Sequence, residues 1–232
     1  MILHIPHASL NLAGRSFECD TTLELERMTD HRTDELFECQ AAVRVVFTLS
    51  RLVCDVERFT DDAQELMAAK GMGICYQTNS FGQPLRTVSV AEKRQIIEDY
   101  YKPHHYKLEQ AVNDELANTG QALIIDCHSF SNTPLPHEDS QHTPRPALCI
   151  GTDPFHTPSQ LTKLAVNHFK ALGYRVAVND PFAGSLVPLV HLNENAQVHS
   201  LMIEVNRSAY QDNFEQVKHD ISGCLAALAG FG

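Results

Sequence analysis

With 232 residues, 43% of them hydrophobic and 20% charged, the chain is long and apolar enough to bury a sizeable core. Its net charge of −11 argues against nucleic acid and anionic membrane surfaces as partners, and no apolar run approaches membrane-spanning length. A small anionic substrate is still allowed, because it needs only a local cation.

In chain order, residues 2–5 form an apolar first strand that Pro6 stops, with His7 just beyond it. Met1 leads straight into this strand, which predicts no secretory leader. The seven cysteines are scattered, odd in number and without a CxxC pair, and several sit in apolar runs where Cys acts as a small hydrophobe. A reduced, cytoplasmic protein is expected. Thr21-Thr22-Leu23-Glu24 reads as a capping box opening a short helix, and Asp30 stands at the N-cap position of a second helix over 32–43. Residues 45–47 and 52–56 read as strands, the second ending in Glu57-Arg58. A helix is predicted over 62–70, then a long aperiodic segment over 71–86. Ser89-Val90-Ala91-Glu92 opens the longest helical pattern, which runs to about 118 and closes at Gly120, with a kink or break expected near Lys102 because Pro103 interrupts it.

Ala122-Leu123-Ile124-Ile125-Asp126-Cys127-His128-Ser129 has the unbroken apolar start of a strand covered on both faces. It turns polar at its end, where Asp126 and His128, two apart, share a face. A proline-rich loop spans 131–146. Strands follow over 147–150, 174–178 and 200–205, with a helix between the first two and a last amphipathic helix over 210–229. The alternation predicts one three-layer α/β/α domain over 1–232, built on a mostly parallel, mixed sheet.

Five predicted strands finish in polar groups: His7, Glu57-Arg58, Asp126/His128, Asn179-Asp180 and Glu204/Arg207. In open α/β sheets ligands bind beyond the carboxyl ends of the strands. Two histidines and a carboxylate make a usual catalytic zinc set, a further carboxylate can take a proton, and arginine suits a carboxylate-bearing substrate. There is no HExxH. The pairs His31/Asp34 and His191/Glu194 have helical spacing but read as surface pairs.

The ordered set Ile5-Pro6-His7-Ala8, Thr29-Asp30, Leu52-Val53-Cys54-Asp55-Val56-Glu57-Arg58, Tyr101-Lys102-Pro103-His104-His105, Ile125-Asp126-Cys127-His128-Ser129 and Ile203-Glu204-Val205-Asn206-Arg207 resembles the N-formylglutamate amidohydrolase family. The resemblance covers residues 2 to about 210. It implies a phosphorylase/hydrolase-like, zinc-carboxypeptidase-like fold and a zinc-dependent amidohydrolase of small N-acyl amino acids. It implies His7, Asp30 and His128 as metal ligands, Glu204 as general base, Arg207 as a catalytic cation and Arg58 as the substrate clamp. Arg51, Arg86, His105 and Asn179 complete the expected substrate contacts. Two features depart from the family pattern. The clamp reads Glu57-Arg58 where Asn-Arg is usual, so Glu57 must turn away or the substrate must differ. The Asp180–Ser185 loop also lacks the cations found there in formylglutamate-cleaving members. The alternatives are a peptidase, with an open groove formed by 71–86 and 131–146, and a non-catalytic metal- or ligand-binding relative.

Overall fold

The computed structural model describes residues 1–231. A six-stranded sheet in the order β2-β1-β3-β6-β4-β5 forms its middle layer. Strands β2 (Val43–Val46), β1 (Ile2–Ile5), β3 (Ala122–Phe130) and β6 (Val198–Asn206) run parallel. The pair β4 (Leu148–Gly151) and β5 (Val176–Val178) runs the opposite way, joining β6 antiparallel. The sheet is mixed and mostly parallel, as the alternation of elements predicts.

Period-two alternation assigns the two faces. Leu3, Ile5, Ile125, Cys127, Leu201 and Ile203 pack with Leu161, Phe169, Ile221 and Leu225 from helices α5 (Ser159–Ala171) and α7 (Phe214–Ala229). On the other face Ile2, Ile124 and Val198 meet Leu108 and Val112 of α4 (Lys102–Thr119). His104, Leu108 and Val112 are spaced by four and make the buried stripe of α4. Burying each such aliphatic side chain contributes roughly 1.5–3 kcal/mol. His4, Asp126 and His128 have the parity of this second face. Register then sets neighbours, with His4 beside Asp126 and His128 beside Glu204.

Several local expectations give way to longer-range bonding. Residues 52–56 are turns rather than a strand. Their groups pair with distant partners: the Asp55 N–H donates to the Ile74 carbonyl, and Arg86 donates to the carbonyls of Leu52 and Val53. The helix expected over 32–43 is the single turn α2 (Thr33–Leu36), preceded by Arg32 in the left-handed region, and its end becomes β2. The helix expected over 62–70 is a 3₁₀ turn, Leu66–Lys70. Pro103 does not break the long helix. A π-turn over Ile97–Tyr101 links α3 (Val90–Ile96) to α4, widening the coil where proline supplies no N–H. Gly120, at φ +82, ends α4 as expected. Among the described residues no helix is long and apolar enough to cross a membrane.

Candidate active site

A cavity of about 470 Å³ opens at the carboxyl ends of β1, β3 and β6. His7, Asp30, Arg51, Glu57, Arg58, His128, Glu204 and Arg207 all line it. Pro6 stops β1 just before His7, whose carbonyl accepts the Asp30 backbone N–H at 3.0 Å, tying the start of α2 to the strand end. Glu204 and His128 arrive on adjacent strands. The turns over 50–58 deliver Arg51, Asp55, Glu57 and Arg58 together.

His7 is buried, and its Nε2 lies 3.0 Å from Asp55 Oδ1. Asp55 accepts from Arg51 Nη2 at 2.9 Å and from the Tyr76 hydroxyl at 2.7 Å. Burial alone would raise the Asp55 pKa, but Arg51, His7 and Arg58 together hold it well below the carboxylate range. An ionised Asp55 takes the Nε2 proton of His7 as its hydrogen bond, which leaves the Nδ1 lone pair free. That Nδ1 is buried without a partner, 3.7 Å from both Asp30 Oδ2 and Glu57 Oε2. His128 Nδ1 lies 3.1 Å from the same Asp30 oxygen, and its Nε2 lies 3.2 Å from Glu57 Oε1. Burial works against ionised Asp30, yet the two histidines keep it below its ordinary pKa. Burial also works against a charged His128, but Glu57 and Asp126 raise its pKa well above the usual histidine value.

The remaining groups are left wanting partners. Among the described residues, seven buried side-chain nitrogen or oxygen atoms have no hydrogen-bond partner, and five of them belong to residues lining this cavity: His7 Nδ1, Arg58 Nε, Ser129 Oγ, Glu204 Oε2 and Arg207 Nε. Unsatisfied buried polar atoms are rare in folded proteins, so their convergence marks a site built for a ligand. Burial pushes Glu204 up to about 8, with Asp30 and Glu57 reinforcing it against His128 and Arg51. Arg207 is held by the carbonyls of Glu26 and Arg27 through its two Nη atoms, which leaves Nε for the cavity. The chemistry of the donors suits a divalent ion. His7, Glu57 and His128 each offer a ligand atom within 4.8 Å of the others, and Asp30 stands against both histidines.

Of the expected substrate contacts, Arg58 and Arg51 reach the cavity, but Arg51 is locked onto Asp55 and Tyr76. Three do not line it. Arg86 is buried elsewhere, donating to the carbonyls of Tyr76, Leu52 and Val53, because a guanidinium can satisfy several carbonyls at a turn. His105 pairs with the Val56 carbonyl at 2.7 Å. Asn179 has φ +56 and bonds Thr152 through both side-chain atoms, so it builds a turn. His31 and His191 pair with the Glu26 carbonyl and Asn113, also away from the cavity. Glu57 does not turn away but faces the two histidines. The sequence pattern assigns no role to Asp55 and places Asp126 only as the carboxylate beside His128 at the strand end. Their signal is a lone acid inside an apolar run, which only strong partners can keep buried.

Comparisons with known proteins agree in direction. The sequence profile of a family described as N-formylglutamate amidohydrolase matches residues 1–211. The N-formylglutamate deformylase of Pseudomonas putida is 25% identical over 225 residues, which cover 93% of this chain and 83% of that protein. The N-formylglutamate deformylase of Pseudomonas aeruginosa is 23% identical over 221 residues, covering 91% and 82%. A crystal structure of N-formylglutamate amidohydrolase from Ralstonia eutropha superposes with a TM-score of 0.82 at 22% identity, covering 98% of this chain and 91% of that one. With the family profile spanning most of its length, the chain belongs to the N-formylglutamate amidohydrolase family.

Proposed function

We propose that this protein hydrolyses the amide bond of a small N-acyl amino acid, N-formylglutamate first among them, with a zinc ion held by His7, Asp30 and His128. The observation that carries the reading is the convergence of five unpartnered buried atoms on one cavity, with a bare histidine nitrogen between two carboxylates. Glu57 is the second carboxylate within reach of both histidines. When bound, such an ion acts as a Lewis acid that polarises the amide carbonyl and makes water acidic near neutral pH.

The chain's own residues do the rest. Arg58 lines the cavity and supplies the cation that takes the substrate carboxylate. Glu204 takes a proton from water at Oε2 and returns it to the leaving nitrogen, so that water and N-formylglutamate become formate and glutamate. Arg207 Nε donates to the carbonyl oxygen as charge grows on it. Arg51 acts through Asp55, holding the carboxylate that orients His7.

A small substrate is favoured over a peptide, because residues 71–86 contribute nothing to the lining of the cavity. Unpaired cysteines throughout fit a reducing compartment, the cytoplasm. The test is formate release from N-formylglutamate by wild type and Glu204→Gln. Turnover by the wild type with near silence in the variant supports the reading. Equal turnover by both sinks the role of Glu204, and no turnover of any N-acyl amino acid sinks the activity.

A further inference from the structure

Arg27, Arg51, Arg58 and Arg207 line the cavity, and they are not equally committed. Arg51 donates to Asp55 and to the Tyr76 hydroxyl, and Arg207 donates to the carbonyls of Glu26 and Arg27. Arg58 has Asp55 at 3.7 Å and Glu65 at 4.0 Å, both too long for hydrogen bonds. It therefore stands at the end of the cavity where Asp55 holds His7. Arg27 closes the last turn of α1 (Thr22–Met28), and among the described residues no carboxylate or carbonyl pairs with its guanidinium. That group lies 4.5 Å over the ring of Phe81, an exposed residue that does not line the cavity, so Arg27 sits toward the mouth.

A guanidinium laid on a ring is held by its face, which leaves the N–H groups on its edge free to donate. A carboxylate accepts two of them in parallel. Two further acids on the lining are already spent: Glu138 pairs with Arg145, and Asp139 pairs with Lys70 at 3.1 Å. Burial holds His137 down to about 4, so its ring adds no charge near neutral pH. The 180–185 loop presents only Pro181, Phe182 and Ala183. A substrate with two carboxylates therefore meets two uncommitted cations, Arg58 near the histidines and Arg27 toward the mouth.

We propose that Arg27 is a specificity-determining residue, the group that takes the side-chain carboxylate of an N-acyl dicarboxylic amino acid such as N-formylglutamate. In that substrate the α-carboxylate is attached to the carbon that bears the scissile nitrogen, so it falls to Arg58 beside the histidines. The second carboxylate ends a flexible arm and extends away from the reacting amide, toward Arg27. The assignment rests on the reading of the protein as a hydrolase of N-acyl amino acids.

The test compares N-formylglutamate with N-formylglutamine, which has nearly the same shape but no side-chain charge. The zinc-loaded full chain is assayed as wild type, Arg27→Gln and Arg27→Lys. Wild type should favour N-formylglutamate in kcat/KM by roughly tenfold to hundredfold, the effect of one charged hydrogen-bonded pair. Arg27→Gln should lose that preference, mainly through a higher KM for N-formylglutamate and with a much smaller change for N-formylglutamine. Arg27→Lys keeps the charge without the fork, so its preference should stand between the two, and it preserves the test should the Gln variant not fold. A wild type without preference overturns the assignment alone. So does an Arg27→Gln variant that keeps the preference or loses both substrates alike. A wild type that turns over neither substrate overturns the hydrolase reading and the assignment with it.

Discussion

His4 and His7 are three residues apart, both buried and both set against an aspartate, yet they are left in opposite states. His4 has a partner on each nitrogen, Asp126 on one side and His104 on the other. His7 has Asp55 at Nε2 and nothing at Nδ1. The carboxylates behave in parallel: Asp126 uses both oxygens, whereas Glu204 leaves Oε2 bare in the cavity. A saturated buried polar group is framework, and one left bare toward a cavity waits for a ligand. Burial alone, equal in the two histidines, does not tell them apart.

The contrast can be broken at several points, and the largest effect belongs to the bare carboxylate. Glu204→Gln should lower kcat by roughly 10²–10⁴-fold. Bound zinc should remain, read by metal analysis of the same sample; loss of zinc would make Glu204 a ligand instead. On the framework side, Leu108→Ala should cost about 2–5 kcal/mol in denaturant unfolding while kcat stays near wild type, since Leu108 lies fully buried in the α4 stripe, away from the cavity. A collapse of kcat in folded protein would show that framework and site are not separable there. Arg58→Ala removes a charged hydrogen bond of about 1.5–3 kcal/mol and should raise KM for a carboxylate-bearing substrate, with a smaller change in kcat. An unchanged KM would remove Arg58 from substrate binding.

The mildest probe is acid. Burial holds His104 down to about 2, and His105 and His137 down to about 4. The unfolded chain therefore takes up protons first as pH falls. Their contribution is complete above about pH 6.5 and is lost progressively from there toward pH 4. Tm should fall between pH 7 and pH 5, and less so in His105→Phe. A flat Tm over that range would contradict the neutral burial of these rings.

The strands that carry the site were legible because a strand buried on both faces is a continuous apolar run, and its polar terminator is easy to see. That is how His7, His128 and Glu204 stand out, and the structure brings all three to one cavity. The turns over 50–58 were not legible as turns. Leu52-Val53-Cys54-Asp55-Val56 has a strand's composition, and what bends it is bonding to Ile74 and Arg86, 19 and more residues away in the chain. Arg86 and His105 look like site residues by charge and neighbourhood, but each satisfies backbone carbonyls that no local pattern reveals. Glu57 looked misplaced beside a clamp arginine. Its place is set by His7 and His128, 50 and 71 residues away in the chain, which flank it.

The most direct measurement is the zinc content of protein purified without chelator, wild type beside His128→Ala, with formate release from N-formylglutamate assayed on the same samples. The account predicts about one zinc per wild-type chain, lost in the variant together with turnover. A wild type free of metal that still releases formate, or a His128→Ala variant that keeps both zinc and activity, would contradict it.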